Sequence, residues 1–343
     1  MDPHWDLIGN ERAVRALQAG LAGGAANHAY LFAGPDGTGR AAAAKRLAQA
    51  LNCTGAEPPC GECAPCRRIE GGIHADVQTL TIATDAEGAV RKAISVEQVR
   101  EMEAAVALAP YEGRTRVVVI DPADAMSDGA QNAFLKTLEE PPPNAVFVLI
   151  TGNEERLLET VRSRCRRIEF RLVPASEIEA ALVAQGVEGE RARLLARLSG
   201  GRPGWALEAA ASPRLLEHRS ESLAVARELP RLPLADRLDL AEKLSEAFKR
   251  DREPVMRQLD EWAGWWRDVL LAASGAGESI ANVDETASLQ ADAGECDRAE
   301  VARFVQAIID TRGYLAENVQ SRIALDALML AVPGRALSRA RQL

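Results

Sequence analysis

The period of the apolar positions changes repeatedly along the first 170 residues. Between residues 11 and 22, Val14, Leu17 and Leu21 recur at the spacing of one helix face. Ala29-Tyr30-Leu31-Phe32-Ala33 is then an unbroken apolar run, the mark of a strand covered on both faces. Gly34-Pro35-Asp36-Gly37-Thr38-Gly39 turns the chain, and residues 40–51 return to a helical, Ala-rich pattern with Leu47 and Leu51. Further strands are predicted at 76–82, at 116–121 (a β-branched run closing on Asp121), at 145–150 and at 167–170. Ser95 followed by Gln98 forms a capping-box pattern at the head of another helix. Residues 127–140 place Ala130, Phe134 and Leu138 on one helical face, and Pro141-Pro142-Pro143 stops them. Strands alternating with helices predict an α/β domain with a parallel sheet.

After Pro174 the strands end. Residues 176–210 hold two helical stretches separated by Gly186–Gly189 and closed by Ser199–Gly204, and 211–343 reads as helical throughout. Trp262, Trp265 and Trp266 stand at i, i+3, i+4 and share a face, which predicts a packing role. Three domains follow, at 1–173, 174–210 and 211–343, in keeping with the chain's 343 residues.

Charge and composition remove several function classes. Asp plus Glu number 50 against 41 Lys plus Arg, so the formal net charge is -9. That argues against a free-standing nucleic-acid coat protein, which needs a basic surface. A hydrophobic content of 47% with 27% charged residues excludes disorder as the main state. No apolar run approaches the roughly 18 residues that span a bilayer. The start, Met1 to Asp6, has no basic region leading into an apolar stretch, so no secretory signal is expected and the predicted location is cytoplasmic.

Four of the six cysteines, Cys53, Cys60, Cys63 and Cys66, crowd into 14 positions with Gly and Pro between them. In a reducing cytosol such a cluster points to a metal rather than to disulfides. Four thiolates complete the tetrahedral set of a closed structural zinc site. The x6, x2, x2 spacing also partly matches an iron–sulfur run, though without its trailing proline. Cys165 and Cys296 stand apart and are expected to be buried small residues.

The strand–turn–helix unit at 29–51 frames a phosphate-binding loop, Gly34-x4-Gly39-Arg40-Ala41. Such a loop needs a Lys for the outer phosphates and a Ser or Thr hydroxyl for magnesium. Arg40 keeps the charge but replaces a compact ammonium with a planar fork, and Ala41 offers no hydroxyl. The second half of such a site is an acid at a strand end followed by a Glu that activates water. Asp121 fits the first requirement, and Pro122 fails the second. Gly34, Gly37, Gly39, Arg40 and Asp121 therefore form a vestigial site, with weak or absent ATP binding; the helix N-terminus could still attract an anion.

The loop at 34–41, the four-cysteine insert, the stretch Asn132-Ala133-Phe134-Leu135-Lys136-Thr137-Leu138-Glu139-Glu140-Pro141-Pro142 and Ser163-Arg164-Cys165 together resemble the bacterial DNA polymerase III clamp loaders, members of the AAA+ superfamily. The resemblance covers residues 5–210 and continues more weakly through Trp265-Trp266-Arg267-Asp268. It implies an AAA+ α/β module with a zinc insert at 53–66, a small helical lid, and an all-α collar used for oligomerisation. The degenerate loop resembles the non-hydrolysing, stator-type members; the alternative is a gamma/tau-like ATPase motor with an atypical loop. The implied partners are gamma/tau and delta subunits in a hetero-pentamer, with the sliding clamp and primer-template DNA met through the assembled complex and no membrane. Arg164 would then act in trans on the neighbouring subunit's nucleotide. Thr151 and Asn153 match the family's first sensor region. The family's second sensor arginine falls where this chain has Gly204; Arg202 is shifted from that place and does not inherit the role.

Overall fold

The computed structural model describes residues 5–22, 26–84, 91, 93–317 and 319–334. Residues 1–4, part of the start in which no secretory signal is expected, and 335–343, the end of the third predicted domain, lie outside them. The chain forms two compact units, Met1–Ala181 with Gly201–Trp205, and Leu182–Gly200 with Ala206–Leu343.

In the first unit five strands, β1 (Ala29–Ala33), β2 (Val77–Leu80), β3 (Arg116–Ile120), β4 (Ala145–Thr151) and β5 (Arg166–Glu169), form one sheet in the order β2-β3-β4-β1-β5. Every pairing is parallel, with Phe32 opposite Ile150 on one side and Ile168 on the other. All predicted strands are present, with no end displaced by more than two residues. The helices are α1 (Glu11–Ala22), α2 (Arg40–Asn52), α3 (Ala64–Glu70), α4 (Val96–Val106), α5 (Asp128–Glu139) and α6 (Glu159–Arg162), and α7 (Ala175–Ala184) runs across the division between the units. Ser95 and Gln98 make the full reciprocal cap on α4. Ser127 caps α5 by accepting from the Ala130 N–H. α3 was not anticipated inside the cysteine-rich loop; Pro65 in its first turn favours helical φ just where the insert would otherwise stay irregular.

Alternating strand residues face two apolar layers. Tyr30, Phe32, Val117, Val119, Val148 and Ile168 pack with Leu17, Ala43 and Leu47 on one side of the sheet. Leu31, Val118, Ile120, Phe147 and Leu149 pack with Met102, Phe134, Leu138 and Val161 on the other. A parallel sheet buried on both faces explains why its strands read as continuous apolar runs.

The second unit is helical: α8 (Gly189–Leu198), α9 (Pro203–Ala211, whose first residues belong to the other unit), α10 (Pro213–Glu228), α11 (Leu234–Arg250), α12 (Arg252–Ala273), α13 (Thr286–Glu295), α14 (Arg298–Ala316) and α15 (Ser321–Leu330). α9 departs from the sequence reading, which ended the helical stretch at Ser199–Gly204. Here Pro203 begins a helix instead, since its missing N–H is no loss in a first turn. The predicted tryptophan face is the centre of the core: Trp262, Trp265 and Trp266 are all fully buried. Trp266 meets Phe304 of α14 edge-to-face at 5.6 Å, and the Trp262 indole donates to the Ser222 carbonyl at 3.0 Å. No helix among the described residues is long and apolar enough to cross a membrane. Trp266→Ala should cost this unit about 3–5 kcal/mol. A denaturant titration followed by circular dichroism checks it; an unshifted midpoint would contradict the central place of this side chain.

Candidate functional site

The carboxyl ends of β1, β3 and β4 converge on the β1–α2 loop, where ligands of open parallel sheets bind. The loop's shape is fixed by contacts that exclude side chains. Gly34, Gly37 and Gly39 all have positive φ, and a Cβ on Gly34 would run into the Phe170 carbonyl. The Gly34 N–H donates to the Thr151 carbonyl at 3.2 Å, and the Gly204 N–H donates to Gly37 at 2.9 Å. Arg202 lays its aliphatic stem against Gly37. Asn10, itself at positive φ, donates to the carbonyls of Thr38 and Arg171 and accepts from the Arg171 N–H at 2.8 Å. Thr38 is buried and its hydroxyl donates to the Pro35 carbonyl at 2.7 Å, so it cannot stand in for the missing hydroxyl of Ala41.

Arg40 folds back into this frame. Its side chain is 7% exposed, one terminal nitrogen pairs with Asp36, and Nη1 is buried with no hydrogen-bond partner among the described residues. Burial pushes the Asp121 carboxyl up; the Arg40 charge opposes this, and Asp36 and Asp124 reinforce it. Of the residues named from the sequence, Gly34, Gly37, Gly39 and Arg40 form the loop and the start of α2, and Arg40 stands near enough to Asp121 for their charges to interact. The neighbouring charges of Asp36 and Asp124 were not foreseen. Thr151 and Asn153 are engaged locally: Thr151 donates to Asp124 at 2.7 Å and accepts from the Asn153 N–H, while the Asn153 side chain accepts from Glu155. A guanidinium fills the place of the loop ammonium, and no carboxylate follows Asp121.

The four cysteines of the insert form a separate cluster. The ligating atoms of Cys53, Cys60, Cys63 and Cys66 all lie within 4.8 Å of one another, and the sulfurs of Cys53 and Cys63 are 3.9 Å apart. Four sulfurs at about 2.3 Å from one tetrahedral ion would stand about 3.8 Å from each other, so the set fits a single ion. There is no room between them for a multi-iron cluster. Gly55 must be glycine, because a Cβ there would press to 2.9 Å on the Cys60 side chain. Backbone donors prepare thiolates: Gly55 and Cys60 N–H groups point at Cys53 sulfur, and the Cys63 N–H at Cys60 sulfur. Burial works to raise the Cys63 thiol, but backbone and side-chain donors around Thr54 and Cys66 outweigh it and hold it at about 5. The Cys63 N–H lowers Cys60, whereas burial raises Cys53 and Cys66.

The module is tied to the sheet on both sides. Gln49 of α2 donates to the Cys66 carbonyl at 2.9 Å, and Arg114 donates to that of Cys53. Asp76, fully buried at the start of β2, accepts from the N–H groups of Tyr111, Glu112 and Gly113 at 2.7–2.8 Å. Burial alone would raise the Asp76 pKa, but these donors and Arg116 bring it below the ordinary value. Asp76 carried no sequence signal, since its partners lie some 35 residues away. Cys165 is half-buried rather than fully enclosed, with burial pushing its thiol up to about 12; Cys296 is also half-buried.

Arg164 lies away from the loop, just after α6. One terminal nitrogen pairs with Glu139 at the end of α5, and Nη1 donates to the Thr160 carbonyl at 2.8 Å. Its neighbour Arg167 is held instead by both oxygens of Glu154, at 2.8 and 2.9 Å.

A parallel sheet, a glycine loop opening a helix and an acid at the tip of a central strand define an α/β module with the frame of a phosphate-binding loop but without its lysine, its hydroxyl and its second acid. The family described as "DNA polymerase III, delta subunit" matches residues 9–174. The delta' subunit of DNA polymerase III from Bacillus subtilis is 28% identical over 320 residues, covering 93% of this chain and 94% of that one. The tau subunit from the same organism is 38% identical over 175 residues, covering half of this chain but only 30% of tau. A gamma subunit-related protein of Thermotoga maritima aligns over 94% of this chain and 97% of its own at 18% identity, with a TM-score of 0.43. Residues 9–174 thus match this DNA polymerase III subunit family, and the delta' alignment carries the likeness along nearly the whole chain.

Metal analysis of protein purified without added metal should find about one ion per chain, bound with release of protons from the thiols. Cys63→Ser with Cys66→Ser should abolish it. An unchanged metal content in that variant would place the ion elsewhere.

Proposed function

We propose that this chain is a delta-prime-type stator of a DNA polymerase III clamp loader, which helps place the sliding clamp on primed DNA and does not itself hydrolyse ATP. The observation that carries the reading is the self-occupied loop: Arg40 is buried against Asp36, Ala41 lacks a hydroxyl, and Pro122 follows Asp121. The alignment with a delta' subunit along nearly the whole of both chains supports it. In this reading the partners are gamma/tau and delta subunits in a hetero-pentamer, and contact with clamp and primer-template DNA is shared among them in the cytoplasm. The organisation we assign is an AAA+ module at 1–173, a lid at 174–210 and a collar at 211–343. The ion of the four-cysteine cluster is zinc, which four thiolates in a closed tetrahedron suit, and its role is structural.

Arg164 reaches the ATP held by a gamma/tau neighbour. A guanidinium supplied from an adjacent subunit neutralises charge that develops on the transferring phosphoryl group, an effect worth about 10³–10⁵ in rate where measured in other nucleotide hydrolases. Arg164 suits this because it is one-third exposed just after a short helix whose Val161 is buried in the core. The competing reading, a gamma/tau-like motor with an atypical loop, draws on the higher identity to tau over 175 residues.

Turnover separates the two. The isolated chain should show no magnesium-dependent ATP hydrolysis above background; robust turnover would establish the motor instead. In the reassembled complex, Arg164→Ala should lower DNA-stimulated hydrolysis by about tenfold or more while the subunit keeps its fold and its place. A normal rate in that complex would remove the trans-acting role.

A further inference from the structure

Glu139 is the last residue of α5, which Pro141-Pro142-Pro143 prevents from continuing. The helix therefore ends with unpaired carbonyls and two acids, Glu139 and Glu140, a negative terminus that attracts a cation. The cation it meets is Arg164, 25 residues further along the chain. The Thr160 carbonyl takes Nη1 of the same guanidinium, so its two terminal nitrogens are held by two different elements.

Both elements stand on fixed backbone. Leu138, next to Glu139, and Val161, three residues before Arg164, are buried in one apolar cluster, and Cys165 packs against it. The Gln131 side chain of α5 is fully buried, donates to the carbonyls of Met126 and Arg156, and accepts from the Leu158 N–H at 2.7 Å. It thereby pins the segment leading into α6 against α5. Thr137 further ties α5 to Glu103 of α4 at 2.5 Å. An arginine on a flexible stem is thus held at its tip by groups carried on two elements that are anchored in the core.

We infer that Glu139 is a positioning residue for Arg164, orienting the guanidinium before a neighbour's nucleotide arrives; the inference rests on the trans-acting reading of Arg164. A guanidinium carries five N–H donors, so the bonds to Glu139 and Thr160 leave others for phosphate oxygens. Orientation fixed in advance lowers the entropic cost of reaching the transition state and leaves the neighbour's ground-state hold on ATP unchanged. The pair is partly exposed, so the effect is moderate rather than total.

The test uses reassembled complexes carrying Glu139→Ala, Glu139→Gln, Arg164→Ala or the double substitution in this subunit. Glu139→Ala should lower kcat for DNA-stimulated ATP hydrolysis about three- to tenfold with KM for ATP unchanged. Glu139→Gln, which can still accept a hydrogen bond from Arg164, should recover part of the loss. The double variant should be no slower than Arg164→Ala alone, because Glu139 acts only through that arginine. A normal kcat with Glu139→Ala, or a double variant slower than Arg164→Ala, overturns the inference and leaves the role of Arg164 standing. A normal rate with Arg164→Ala overturns the underlying reading, and this one with it.

Discussion

The carboxyl edge of the sheet depends on how closely the β1–α2 turn approaches its neighbours. Gly34 sits where no side chain fits against the Phe170 carbonyl, and its N–H is bonded to the end of β4. The same turn that in other proteins lets a backbone approach phosphate here lets it approach β4, the segment after β5 and Gly204. A glycine frame can therefore persist after phosphate chemistry has gone, because packing the sheet's end requires it. The groups that only ligand chemistry demands, a lysine and a hydroxyl, face no such structural constraint, and those are the ones this chain lacks.

Arg40 shows what replaces a ligand's charge. Burial and the nearby charges of Asp36 and Asp124 disfavour an ionised Asp121 unless a cation stands beside it. The guanidinium provides one from within, and its rigid fork pairs with Asp36 at the mouth of the loop. The result is a module that keeps the form of a nucleotide site while neutralising its interior with its own side chain. In the assembly proposed above, such a member would offer its neighbours a surface that does not change with nucleotide state.

The elements that periodicity controls were legible in the sequence. β1, β3 and β4 are apolar runs because both faces of a parallel sheet are covered, and the three tryptophans of α12 announced a buried face by spacing alone. The four cysteines were equally plain, since metal ligation restricts residue type more sharply than packing does. What stayed hidden were side-chain pairings between distant segments: Arg40 folded back on Asp36, Asp76 holding the 111–113 backbone, Gln131 bridging to Leu158, and Glu139 against Arg164. Each joins residues whose types are unremarkable in their own windows. α9 was missed for another reason: Gly-Arg-Pro-Gly reads as a stop, and only the surrounding structure reveals Pro203 as a start.

Asn10 joins the beginning of this module to its end. Its side chain bonds Thr38 of the loop and both backbone groups of Arg171, 161 residues later. Contacts of such long sequence separation carry a large loop-closure cost. On a ribosome, the turn after β1 would emerge early and then wait for residue 171 before it could take its final shape. The glycine loop therefore lacks part of its frame until residue 171 has been made.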